Sequence, residues 1–147
     1  MSSGTTVLNT GNQAITNYDN RKVFVWNPRS EEASYNNSTY DDVTLTAGTL
    51  MGRIAATDKI TPLTSGASDG SQFPVGFIAE TTVVASGDTV DIDIIVSGDV
   101  AEDMITLQGS DTLATVISSR TLRDRIGADT VGIKLVGGTE MTATDNQ

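Results

Sequence analysis

The sequence predicts a mainly β protein: a small barrel-like body of short strands with one short helix, preceded by an extended N-terminal arm. Three observations carry this reading. From Asp42 onward, runs of β-branched and apolar residues are broken by Gly, Asp and Ser turns at the roughly 8- to 12-residue spacing of all-β folds. Thr89-Val90-Asp91-Ile92-Asp93-Ile94 alternates polar and apolar without a break, as a strand with one wet face must. Helical spacing is confined to one stretch, near residues 110–127. With 147 residues and 37% apolar side chains, the chain is the size of one domain with a modest core.

Taken in order, residues 1–20 are Ser, Thr, Asn, Gly and Gln with scattered Val7, Leu8, Ala14 and Ile15. Such a stretch cannot offset its own ordering entropy by burial. It reads either as a loose terminus or as an arm that orders on a partner. Lys22-Val23-Phe24-Val25-Trp26 is rich in β-formers and is expected to stop at Asn27-Pro28. Residues 29–42 read as a loop or the wide end of a hairpin. Strands are then expected at Val43–Thr46, Thr49–Ile54, Ile60–Leu63, Pro74–Ala79, Thr82–Ala85 and Thr89–Ile94, with Gly98-Asp99 closing the last. Another strand is possible between Val100 and Leu107.

The helix is expected to start at Ser110 or Asp111. Leu113, Val116 and Ile117 fall at i, i+3, i+4, the late arginines Arg120, Arg123 and Arg125 suit its C-terminal end, and Gly127 terminates it. Thr130–Val136 returns as a strand. The resulting division is an arm and hairpin or loop region at 1–42, a β-rich body at 43–138, and a polar C-terminal tail at 139–147.

Composition narrows function by exclusion. The chain has no Cys and no His, so disulfides, thiolate chemistry, a Ser-His-Asp triad and the usual zinc or non-haem iron sites are out of reach. Its formal charge is −10. Between Lys59 and Arg120 there is no base but nine acids: Asp69, Glu80, Asp88, Asp91, Asp93, Asp99, Glu102, Asp103 and Asp111. A middle of that kind cannot serve as a footprint for a phosphate backbone, so nucleic-acid binding is not expected. The start has no basic region leading into an apolar core, and no apolar run approaches the roughly 20 residues that span a bilayer. No membrane partner is expected.

Four groups of residues could carry chemistry. Asp91 and Asp93 share a strand face about 7 Å apart, a spacing compatible with a glycosidase pair or a calcium site, but alternating Asp is more simply a solvated strand face. Trp26, Tyr35 and Tyr40 could stack on a sugar; aromatics more often cover a small core. Arg120, Arg123 and Arg125 could hold an anion, although Asp124 and Asp129 dilute the charge. Gly48-Thr49-Leu50-Met51-Gly52-Arg53 lacks the spacing of a phosphate loop. No catalytic set survives, and no cofactor or metal is expected.

Read in order, Val43 to Val136 resembles the lambda-type head decoration proteins of tailed bacteriophages. The matching pieces are Thr46-Ala47-Gly48-Thr49-Leu50-Met51, then Thr61-Pro62-Leu63, then Ser68-Asp69-Gly70-Ser71-Gln72-Phe73-Pro74-Val75-Gly76-Phe77-Ile78-Ala79. An alternating strand ending Ser97-Gly98, the Glu102-Asp103-Met104 triplet, a helix, Arg123 to Gly127, and the run Val131 to Leu135 complete the order. The tryptophan common after the family's Glu-Asp is absent, and the first 42 residues match no part of the pattern.

The resemblance implies a β-clip-like body that forms homotrimers on the outer surface of an expanded head and clamps the major capsid protein against internal DNA pressure. It further implies that the N-terminal arm, here Thr5, Thr6, Val7, Leu8, Asn9, Thr10, Ala14 and Ile15, binds the capsid by adding a strand to one of its edges. The expected location is the virion surface after synthesis in the host cytoplasm, and no enzymatic activity is expected. The competing expectation is a β-sandwich carbohydrate-binding or adhesin module on the virion surface, using the three aromatics above.

Overall fold

A computed structural model describes residues 23–137. In chain order its elements are β1 (Phe24–Asn36), β2 (Val43–Leu45), β3 (Leu50–Arg53), β4 (Ile60–Pro62), β5 (Pro74–Ile78), β6 (Thr82–Val84) and β7 (Thr89–Ala101). A 3₁₀ turn at Glu102–Met104 follows, then β8 (Val116–Ile117), β9 (Arg120–Thr121), α1 (Leu122–Asp129) and β10 (Gly132–Val136). The described residues are mainly β with one α-helix, as the sequence predicts.

Five strands close a barrel in the order β7-β1-β4-β3-β5, with β5 returning to β7 through Phe77↔Ile95 and Ile78↔Ile94. Closure leaves those strands no free edge over the paired length. One side of β7 pairs with β1 along nearly its whole length, so its other side is shared. Residues 94–95 hold β5, and Ser97–Ala101 hold β10 in parallel. The barrel therefore opens into a fork where β5 leaves β7 and β10 takes its place.

Two residues that read as chain breakers explain why β1 and β7 run so long. Asn27, at φ +46°, and Pro28 stand opposite Gly98, at φ +118°, where the β1–β7 register shifts. A Cβ on Gly98 would lie 2.8 Å from the carbonyl oxygens of Trp26 and Asn27, so only glycine fits beneath this bulge. The expected stops at Asn27-Pro28 and at Gly98 are thus one bulge seen from both strands. The loop expected from residue 29 is strand as far as Asn36, and the barrel draws one stave from upstream of Val43. Past Ala101 the chain forms the 3₁₀ turn rather than a further strand.

The helix begins later than its spacing predicts. Residues 110–121 form turns and the β8–β9 hairpin, while Thr121 caps α1 by accepting from the Asp124 N–H at 3.3 Å. Local competition is the reason. The Thr112 N–H donates to Thr115 Oγ1 at 2.9 Å and the Ala114 N–H to Thr112 Oγ1 at 3.2 Å, which gives the backbone a turn instead of a helix. The Asp111 carboxylate, expected as a cap, accepts from Ser65 N–H (2.9 Å) and Oγ–H (2.6 Å), joining two loops. Gly127 lies within the helix, and Arg123 and Arg125 stand in its first half.

Two apolar clusters result. Tyr35, Met51, Ile60, Ile78, Ile92, Ile94 and Val96 fill the barrel interior, where Leu45 and Val84 of the β2–β6 ladder join them. Asn37, fully buried, fastens that ladder: its Nδ2 donates to the carbonyls of Asp41 and Val84, both at 2.9 Å. Outside the barrel wall, Leu50, Leu63, Phe77, Val100, Ile117, Leu122, Ile126 and Ile133 pack beneath the helix.

Candidate functional site

A concavity with a volume of about 330 Å³ opens at the fork. Alternation along β1 and β7 sends Ala33, Ile94 and Val96 to its floor, with Val75 of β5 and Ile60 of β4 beside them. Charged residues line its rim: Glu31 and Glu32 from β1, Arg53 and Asp58 from the β3–β4 turn, and Asp129 from the end of α1. Val131, 68% exposed, flanks it where β10 begins.

Three ion pairs surround this mouth. Arg29 meets Glu31 at 3.1 Å, Arg53 meets Asp58 at 3.5 Å, and Arg125 meets Asp129 at 3.4 Å. The Glu32 carboxylate has no partner among the described residues. It stands directly across from Asp93 in the β1–β7 ladder.

A second, shallower groove of about 230 Å³ lies over the outer face and is lined by Glu32, Glu80, Thr82, Asp91, Ile92 and Asp93. Asp91 and Asp93 are here, both exposed, with the intervening Ile92 turned inward. Their spacing is that of a wet strand face. No group of three or more acidic side chains among the described residues is arranged to hold a metal ion.

The structure does not assemble the three aromatics. Tyr35 is 6% exposed and belongs to the barrel interior, where burial raises its phenol pKa. Trp26 (70% exposed) lies near the start of β1 and Tyr40 (99% exposed) lies in the loop beyond its end. They share no platform.

The arginines are likewise not gathered into an anion site. Arg123 forms an ion pair with Glu102, and that hydrogen bond holds the Glu102 carboxyl below the usual carboxylate range. Arg125 donates from Nε to the Ile117 carbonyl (3.1 Å) and from Nη2 to the Ser118 carbonyl (3.0 Å). Its guanidinium also lies 5.0 Å from the Phe73 ring centre. It holds the β8–β9 turn, where Ser118 and Ser119 sit at φ +49° and +69°. Arg120 is exposed beside that turn.

The expected capsid-binding residues Thr5, Thr6, Val7, Leu8, Asn9, Thr10, Ala14 and Ile15 lie outside the described residues. No described helix is long and apolar enough to cross a membrane. The fork was not legible in the sequence, because no local pattern announces that segments near residues 31, 53, 75, 94 and 129 converge. In comparisons with known proteins, no family model matches the chain and no curated protein matches it.

Proposed function

We propose that this protein is a capsid decoration protein, which binds the outer surface of an expanded phage head as a homotrimer and acts by binding rather than by chemistry. The observation that carries the proposal is the ordered set of motifs from Thr46 to Leu135. The barrel explains why the most specific pieces need those residues. In Ser68–Ala79, Asp69 Oδ1 accepts from Ser71 N–H (3.0 Å) and Oγ–H (2.6 Å), and Gly70 at φ +103° lets the turn settle on the Arg53 carbonyl. A Cβ on Gly76 would lie 2.5 Å from the Ile95 carbonyl oxygen, so this glycine permits barrel closure.

The surface supports the same reading. Catalysis requires reacting groups held around a pocket, whereas the mouth here is an apolar floor with exposed ion pairs at its rim. The first 22 residues lead into Val23, whose carbonyl accepts from the Ala101 N–H at 2.7 Å beside the start of β1. An arm rooted there can reach beyond the barrel end, and repetition over a symmetric shell multiplies weak contacts.

Cosedimentation with expanded heads assembled without this protein tests the proposal. The full chain is expected to travel with the heads at saturation, and a variant lacking residues 1–20 is expected to stay trimeric in solution but remain at the top of the gradient. A full chain that stays behind would refute the decoration role. A truncated chain that binds at full strength would refute the arm.

A further inference from the structure

We propose that Asp69-Gly70 is the site at which this protein ages by isomerisation of its main chain, and that the Gln72 side chain is the guard that sets the rate. The sequence holds one Asp-Gly step and no Asn-Gly step. At such a step no side chain shields the glycine nitrogen, which can attack Asp69 Cγ. The bond from Cγ to the carboxyl hydroxyl breaks, water leaves with the amide proton, and a five-membered succinimide closes. Water then adds back. When the ring opens at the Asp69 α-carbonyl, the main chain runs through the former side-chain carbonyl and is one methylene longer. Water is the only co-reactant.

The fold demands this step. Gly70 sits at φ +103°, and a Cβ there would lie 2.9 Å from the Arg53 carbonyl oxygen, so no other residue fits. Asp69 supplies the acceptor that shapes the turn. The same loop holds the two reacting groups apart. The Gly70 N–H donates to Gln72 Oε1 at 2.9 Å, which occupies the attacking nitrogen. Asp69 Oδ1 accepts from the N–H and Oγ–H of buried Ser71 at 3.0 and 2.6 Å, which turns the carboxyl toward residue 71. Those bonds also hold the Asp69 carboxyl below the usual carboxylate range, and an ionised carboxylate has no hydroxyl to lose. The main chain is fastened on both sides of the step. The Ala55 N–H donates to the Asp69 carbonyl at 2.8 Å and the Phe73 N–H to the Gly70 carbonyl at 3.1 Å. Ring closure must therefore break the Gln72 bond and swing the carboxyl off Ser71 while the peptide between them is pinned. Gln72 is the one guard that can be removed without altering a reacting residue or the turn acceptor. The inference does not depend on the decoration role, since it concerns this loop alone.

The test holds the full chain at neutral pH for weeks and measures isoaspartate by enzymatic methylation of the new α-carboxylate. Mapping with a protease that cuts before aspartate but not before isoaspartate locates it. A synthetic peptide of residues 66–75 gives the unguarded rate. The folded chain is expected to isomerise at residue 69 at least about tenfold more slowly than the peptide, since several bonds must break first. Gln72→Met keeps the side-chain length but removes the acceptor, and is expected to speed the reaction about fivefold, the rate equivalent of one neutral hydrogen bond. Gln72→Glu restores an acceptor oxygen and is expected to stay near the wild-type rate. Circular dichroism confirms that each variant is folded. A wild-type chain that isomerises as fast as the peptide would overturn the proposal. So would Gln72→Met at the wild-type rate, or Gln72→Glu as fast as Gln72→Met.

Discussion

The strands β3 and β5 are buried on both faces, whereas the end of β1, from Ala33, and the first half of β7 keep one face in water, although all four strands close the same barrel. Neighbouring residues on the covered wall serve different cores: Leu50 and Phe77 point beneath the helix, Met51 and Ile78 into the interior. On the wet wall, Ile92 and Ile94 point inward while Asp91 and Asp93 point out. The covered wall leaves no room for error, and its glycines stand where backbones touch. The wet wall tolerates, and accumulates, charge. Sequence and energetics thus differ between two halves of one closed sheet because only one half has a second layer over it.

The difference can be broken most severely on the covered side. Phe77, fully buried between wall and helix, leaves a cavity when cut to alanine, and Phe77→Ala is expected to cost about 3–5 kcal/mol in urea unfolding. Gly76→Ala places a methyl at 2.5 Å from the Ile95 carbonyl and must displace the β5–β7 seam; the expected loss is about 1–3 kcal/mol by the same measurement. Replacing Ser118-Ser119 by Asn-Gly suits the left-handed turn between β8 and β9, and is expected to raise stability by about 1 kcal/mol.

Smaller effects belong to charge. Asp93→Lys converts the repulsion with Glu32 on the wet wall into attraction, with an expected gain of about 0.2–1 kcal/mol. Repeating the unfolding at high salt should erase most of that gain. On the other side, hydrogen bonds from Ser71 lower the pKa of Asp69, and Arg123 lowers that of Glu102. A depressed folded-state pKa stabilises above the unfolded carboxylate range, near pH 4, and that contribution is lost as pH falls through the folded values. Both groups lie at the surface, so the slope is small. Asp69→Asn is expected to reduce the loss of urea midpoint on acidification below pH 4.

The wet wall was the more legible of the two. Strict alternation from Thr89 to Ile94 needs only local reading, and it places the strand, its inward face and its solvated aspartates correctly. The covered wall was legible as strands through its β-formers, but not as a partition between two cores, because double burial removes the period. The bulge escaped because Asn27-Pro28 and Gly98 each resemble a terminus alone; their pairing across the sheet is a tertiary fact. The helix was misplaced for a related reason. Leu113 and Ile117 do pack on the cluster beneath α1, but they reach it from a turn and a hairpin, so the spacing reported the core and not the element. The mouth at the fork depends on closure, which no single segment encodes.

The most direct measurement is a three-dimensional electron-microscopy reconstruction of expanded heads mixed with the full chain. The account predicts trimeric density on the outer surface at three-fold and local three-fold positions, with the Val23 end of β1 toward the shell and the acidic wall of Glu32, Asp91 and Asp93 toward solvent. Bare heads at saturating protein, or density with the acidic wall against the shell, would contradict it.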